Sequence, residues 1–282
     1  MLGLSFRAGA HDIASNDALV TTETANGRLQ GLLSGRIAVF KGVPYAADTG
    51  GANRFMAPRP VENWAGVRAA TTFGARSPQD ARGVESAPDG EMGSPRYGED
   101  CCVLNVFTPS INRNARRPVM VFVHGGGFRS GSGDAPTFDG RNLAAFGEVV
   151  VVTLNRRLNV LGFAALGSLG DEYADSANAG QLDLVAALQW MQANIESFGG
   201  DPSRVTLFGH SGGGSSIEIL SIMPAAQGLY HRTINMSGSS AFTIRTAEDL
   251  APVAETFATS LGAGRGRMHL LAEFTPDRLR AA

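Results

Sequence analysis

The residues of this chain whose types and spacing suit catalysis gather at two glycine-rich corners. The first is Gly209-His210-Ser211-Gly212-Gly213, which follows the β-branched apolar run 205–208 and opens a stretch of helical composition. A serine centred in G-x-S-x-G between strand and helix has the makings of a nucleophile. It must take a strained backbone conformation so that its hydroxyl projects from the strand end, and side chains two positions before and after would collide as strand and helix fold together. The following helix aims its first amides at the same spot, which favours developing negative charge. The plainer alternative, a glycine turn with an incidental serine, is weakened by the strand and helix around it. His210 adjoins Ser211 in sequence, but neighbouring side chains at a tight turn diverge, so it is poorly placed to take the serine proton.

The second corner is His124-Gly125-Gly126-Gly127, directly behind the apolar run 118–123. Consecutive glycines let backbone N–H groups face outward with no Cβ in the way, as an oxyanion hole requires. The amides of Gly126 and Gly127, with that of Gly212, are the expected donors. A nucleophilic serine beside such donors points to acyl transfer through a covalent serine ester.

Those corners need strands behind them. Residues 118–123, 149–155, 205–208 and 233–237 are short, nearly continuous apolar runs, as expected where both faces of a parallel sheet are covered. Residues 178–197 are predicted helical, with Leu184, Leu188, Met191 and Ile195 at spacings of four, three and four. Asp201-Pro202 is expected to end the connection to the next strand. Earlier, from about residue 18, short β-type runs broken by Gly and Asn predict antiparallel strands, with a further strand in "VLNVFTP". Residues 74–98, rich in Gly, Pro, Ser and charge, are predicted to be a surface excursion, which suits part of a binding gorge wall. Residues 1–18 are expected to be a loose tail. The predicted class is α/β, a central mostly parallel sheet with small N-terminal antiparallel strands.

Composition narrows the function classes. The chain has 282 residues and 43% hydrophobic content, which excludes wholesale disorder. Its formal net charge of −2 argues against a nucleic-acid or acidic-membrane partner. Lys41 is the sole lysine and lies in no phosphate-binding loop, which removes Schiff-base and Walker-type chemistry. Cys101 and Cys102 stand side by side with no second pair, and the five histidines are scattered, so neither a disulfide framework nor a metal site is expected. No cofactor is expected. No apolar run is long enough to span a membrane, and nothing in the chain marks it for export, although a start further upstream would reopen that question. Oligomeric state and location stay open.

The runs "FKGVPYA", "RFMAP", "EDCCVLNVFTP", "HGGGF", "NRRLNVLGF", "NAGQLDLVAALQW" and "NIESFGGDPSRVTLFGHSGGG" together resemble the type-B carboxylesterases, the cholinesterase-like branch of the α/β-hydrolase fold. The resemblance covers roughly residues 20–282. It implies Ser211 as nucleophile, Gly126, Gly127 and Gly212 as the oxyanion hole, a small-molecule carboxylic ester as substrate, and two structural ion pairs, Arg54 with Glu99 and Arg157 with Asp183. There are departures. His210 stands where the family usually has glutamate, Gly212 replaces the commoner alanine, and the upstream partner with which the cysteine of "EDC" often pairs has no counterpart here.

In this fold the acid and histidine of the triad follow the serine in chain order, behind later strands. The residues after Ser237 contain no β-rich run and are predicted to form helix, glycine turn, helix. His269 follows Asp249 and Glu255 in the right order, but its setting, "MHLLAEF", is a helical pattern where a solvated or packing histidine is expected. His231 precedes the last strand and belongs near the opposite end of the sheet. No acid or histidine of a triad is therefore assigned in this chain. The expectation is a loose tail at 1–18 followed by an incomplete type-B domain at 19–282, the N-terminal part of a longer esterase with little activity by itself. Two alternatives stay open: a non-catalytic binding member of the family, which the intact serine and glycine loops count against, and a complete small esterase of the hormone-sensitive-lipase type.

Overall fold

The computed structural model describes residues 18–80, 96–239, 245–264 and 266–282. β1 (Ala18–Thr24) and β2 (Gly27–Ser34) form a hairpin, and β3 (Ile37–Pro44) folds back on β2 antiparallel. A short β4 (Val67–Ala69) joins β2 in parallel. β5 (Val103–Thr108) is antiparallel to both β3 and β7 (Val150–Leu154). From there the sheet is parallel through β7, β6 (Arg117–Val123), β8 (Gly200–His210) and β9 (Arg232–Met236). The strand order is β1-β2-β3-β5-β7-β6-β8-β9. The chain leaves β6 toward β7 on one side and returns to β8 on the other. Between β6 and β8 the winding therefore reverses, which opens a crevice at the carboxyl ends of the strands where α/β sheets place ligands.

Helices cover both faces. α1 (Arg141–Gly147) lies over Phe107, Val149 and Val151, with Ala144 as its buried contact. On the other face, α3 (Ala179–Asn194) and α4 (Gly212–Ile222) bury Leu184, Leu188, Met191, Ile217 and Leu220 against Val119, Val121, Val152 and Leu207. α5 (Ala247–Ser260), capped by reciprocal Thr246 and Asp249 bonds, and α6 (Pro276–Ala281) form a separate cluster with α2 (Asn159–Phe163) around Leu161, Leu166, Ala254, Leu271 and Leu279. No helix among the described residues is long and apolar enough to cross a membrane.

Three local expectations change in detail. The helix predicted over 178–197 runs from Ala179 to Asn194 and then tightens to 3-10 geometry at Ile195–Phe198, stopped by Gly199 at φ 74°. Such a tightened last turn satisfies carbonyls that an α-helix end would orphan. Asp201-Pro202 lies within β8, because the strand pairs at Gly200 and again from Val205 while 201–204 loop out; Asp201 holds that loop through the amide of Ser203 at 2.9 Å. The "MHLLAEF" stretch forms a 3-10 turn, Met268–Ala272, in place of an α-helix, with only Met268 and Leu271 buried. Most of the tail expected at 1–18 lies outside the described residues, Ala18 opening β1, and so do residues 81–95 of the expected excursion.

Candidate active site

Ser211 is the single residue between β8 and α4, at φ 53° and ψ −122°. That is a sparsely populated conformation for a residue with a Cβ, costing about 1–3 kcal/mol unless the surroundings impose it. Here they do. The Ser211 amide donates to the Met236 carbonyl of β9 at 2.8 Å, and its carbonyl accepts from Ser215 of α4 at 3.0 Å. A Cβ on Gly209 would stand 2.7 Å from the Gly213 carbonyl carbon, and one on Gly213 would run into the Val123 carbonyl. Both flanking glycines are thus demanded by the crossing of β8, α4 and the end of β6. Ser211 is half-buried, His210 is exposed, and among the described residues nothing hydrogen-bonds to Ser211 Oγ.

The β6 corner lies against this elbow because Val123 pairs with Gly209. Gly126 and Gly127 have φ of 98° and 59°, and the Gly126 carbonyl accepts the amides of Arg129 and Ser130, closing a tight turn. The amides of Gly126 and Gly127 themselves donate to no protein acceptor among the described residues. The Gly212 amide is one of those that every helix leaves unpaired at its N-terminus. The two loops touch: a Cβ built on Gly212 would sit 2.8 Å from the Gly127 nitrogen. The Gly127 nitrogen and the first turn of α4 therefore meet beside Ser211, at the positive end of that helix, with Gly126 one residue before.

The loop is braced by residues without a sequence motif. Gln79 clamps Gly131 from both sides, donating to its carbonyl at 3.0 Å and accepting its amide at 2.7 Å. Arg76 pairs with Asp134 at 2.9 Å, and Asn155 takes the Gly133 amide at 2.7 Å. So residues 74–80 buttress the glycine loop. His124 is buried and donates Nδ1–H to the Gly125 carbonyl at 2.8 Å, which leaves Nε2 as the bare nitrogen, without a partner among the described residues. Burial, then the charge of Arg156, hold its pKa down at about 4. Beyond Phe128 an apolar cavity of about 290 Å³ is lined by Val160, Phe163, Leu250, Ala254 and Phe257 among others.

The remaining candidates lie elsewhere. Arg54 pairs with Glu99 through two bonds of 2.6 and 2.5 Å and also donates to the Leu271 and Phe274 carbonyls, tying the last turns to the body. Arg157 and Asp183, 2% and 0% exposed, meet at 2.6 Å; Asp183 also accepts the Arg157 amide, and Arg157 donates to the Met56 carbonyl. His231 is exposed at the start of β9, where its Nδ1 accepts the Val205 amide. Val205 is six strand residues from Ser211, a separation of about 20 Å. His269 is exposed on the 3-10 turn, Asp249 is occupied in the cap of α5, and Glu255 faces solvent; none hydrogen-bonds Ser211. Cys101 and Cys102 are free and buried. The hydrogen bond from Cys101, with burial, keeps the Cys102 thiol well above its ordinary pKa, so it is unreactive. No group of three or more His, Cys, Asp and Glu suited to a metal occurs among the described residues.

Comparison with known proteins agrees with this architecture. Para-nitrobenzyl esterase of Bacillus subtilis is 43% identical over 265 residues, 94% of this chain and 52% of that protein. Phenmedipham hydrolase of Pseudarthrobacter oxydans is 40% identical over 239 residues, 85% of this chain and 47% of its own. Among solved structures, the Geobacillus stearothermophilus carboxylesterase EST55 superimposes with a TM-score of 0.83 at 39% identity, covering 93% of this chain and 52% of that one. The chain thus spans about half the length of these relatives, and its sheet with flanking helices is that of their α/β-hydrolase fold. The carboxylesterase family pattern matches residues 16–275, and the chain belongs to the carboxylesterase family.

Proposed function

We propose that Ser211 is the nucleophile of a carboxylic-ester hydrolase and that the amides of Gly126, Gly127 and Gly212 are its oxyanion hole. The observation that carries this reading is the contact between the two corners, where Gly212 abuts the Gly127 nitrogen beside a serine at φ 53°. In the first step the Ser211 oxygen gives up its proton to solvent, which later returns one to the leaving alcohol, and bonds to the ester carbonyl carbon, while the carbonyl oxygen takes up negative charge facing the three amides. These donors are preorganised, since no other acceptor among the described residues uses them, so the charge is met without reorganisation. Collapse of the tetrahedral species breaks the bond to the alcohol, which leaves with a proton, and an acyl-Ser211 ester remains for water to cleave. The apolar cavity past Phe128 suits an alkyl or aryl portion of a small-molecule ester.

No proton carrier stands against Ser211 among the described residues. Of the four histidines among the described residues, none hydrogen-bonds Ser211, and His124 is kept neutral and committed to its own loop. We read residues 19–282 as one carboxylesterase-type unit that does not itself hold the acid and histidine of the triad. The two ion pairs, Arg54 with Glu99 and Arg157 with Asp183, are structural in this reading. A serine without base and orienting acid keeps roughly 10³–10⁴ over water from the oxyanion hole and binding, while losing on the order of 10⁶ in turnover. Purified 282-residue chain should therefore hydrolyse p-nitrophenyl acetate slowly, and Ser211→Ala should change that residual rate little, because the oxyanion hole and binding supply it. Brisk turnover that survives Ser211→Ala would refute the assignment of the nucleophile. Brisk turnover abolished by Ser211→Ala would keep the nucleophile and refute the missing base.

A further inference from the structure

Arg156 lies two residues past the end of β7 and is 1% exposed, among the largest fully buried side chains of the described residues. Its neighbour Arg157 takes the carboxylate of Asp183, and among the described residues no carboxylate hydrogen-bonds Arg156 itself. Burying an ion without a paired counter-ion is expensive, so a guanidinium kept in this setting needs a reason. Its contacts run to both halves of the candidate oxyanion hole. Nη2 donates to Ser216 Oγ at 2.7 Å, and Ser216 Oγ donates in turn to the Gly212 carbonyl at 2.7 Å, in the first turn of α4. The guanidinium carbon stands 5.3 Å from the ring centre of Phe128, the residue after Gly127, and 5.7 Å from that of Phe163. Its charge also reaches His124, which opens the glycine loop.

We propose that Arg156 is a positioning residue for the oxyanion hole, clamping the first turn of α4 to the glycine loop and placing a fixed positive charge behind them. The inference rests on the reading of Ser211 as nucleophile. Two consecutive hydrogen bonds from a cation polarise each other, so the Ser216 link draws electron density from the Gly212 carbonyl and reinforces the positive end of α4. The cation–π contact holds Phe128, and with it the peptide that follows Gly127, against the same guanidinium. Burial pulls the Arg156 pKa down to about 10, with Asp183 opposing that shift, so the charge persists at neutral pH. The remaining polar atoms fit an arrangement fixed around that charge: Gln181 accepts from Nη1 at 3.4 Å, while Arg156 Nε and Gln181 Nε2 have no protein acceptor among the described residues.

The test is the kinetics of Ser211 phosphonylation by an alkyl fluorophosphonate, which reads the oxyanion hole without a complete turnover. Losing one direct oxyanion donor costs about 10²–10³. An indirect contribution through Arg156 should be smaller, about tenfold in the Arg156→Gln variant. That loss should fall in the maximal labelling rate and leave the half-saturating probe concentration within about twofold. Arg156→Lys, which restores charge, should recover most of it. Ser216→Ala, which cuts the relay with little loss of volume, should lower the rate about threefold and decides the matter if Arg156→Gln does not fold. Unchanged rates in Ser216→Ala and in folded Arg156→Gln, a loss confined to probe affinity, or no recovery with lysine would each overturn the inference. A parent chain whose labelling does not depend on Ser211 would instead overturn the nucleophile assignment itself, and this inference with it.

Discussion

Replacing Asp183 by asparagine should be among the most damaging conservative changes in this protein. The carboxylate is 0% exposed and accepts from the Arg157 amide at 2.9 Å, from Nε at 2.9 Å and from Nη2 at 2.6 Å. Asparagine keeps the volume but cancels the charge, and turns one oxygen into a donor facing other donors. Two guanidiniums, Arg156 and Arg157, would then share a buried region without the carboxylate that both feel. Breaking a buried pair by removing one partner costs about 3–5 kcal/mol, a large part of a typical stability of about 5–15 kcal/mol. At about 2–4 °C per kcal/mol for domains approaching this size, the midpoint should drop by about 6–20 °C. Urea unfolding followed by fluorescence of Trp64 and Trp190 supplies the number. The double variant Arg157→Met with Asp183→Leu should be less harmful than Asp183→Asn alone, because no half-pair remains. It should still fall short of the parent by about 1–3 kcal/mol, because the Arg157 amide and Met56 carbonyl lose their partners. A loss below about 1 kcal/mol for Asp183→Asn would refute the reasoning.

Acid should destabilise the chain through His124. Its folded pKa, about 4, lies below the ordinary value of 6.5, so the unfolded chain binds the proton more readily. Stability from this group is intact above pH 6.5 and is lost as pH falls from 6.5 toward 4, by about 3 kcal/mol in total; His124→Asn should flatten that part of a stability–pH profile relative to the parent. At the glycine loop, Gly126→Ala should cut Ser211 labelling by about tenfold or more, since φ 98° is hostile to a Cβ and the new atom would meet the Ser130 carbonyl. Labelling at the parental rate by a folded Gly126→Ala protein would contradict the placement of that amide.

Much of this arrangement is legible in the chain because the constraints are steric. Gly209, Gly213 and the triple glycine stand where crossing strands and helices leave no room for a Cβ, and the apolar runs around 118–123 and 149–155 carry the period of doubly covered strands. Other parts leave little trace. Gln79 and Arg76 brace the glycine loop from a segment whose Gly, Pro and charge content suggests only a surface excursion. Their partners, Gly131 and Asp134, are more than fifty residues away, and side-chain bonds over such distances follow no period. Arg156 had a signal that is easy to pass over: two arginines just past a buried strand, with one carboxylate, Asp183, to serve them. The 3-10 turns at Ile195–Phe198 and Met268–Ala272 escaped because apolar spacing does not separate three residues per turn from 3.6 over a few residues.

The most direct test of the account is to treat the purified 282-residue chain with a fluorophosphonate and map the adduct by tandem mass spectrometry. One phosphonyl group on Ser211, absent in Ser211→Ala and slowed in Gly126→Ala, is the expected result. An adduct on another side chain of the folded protein, with Ser211 left unlabelled, would contradict the claim that this hydroxyl is the reactive oxygen.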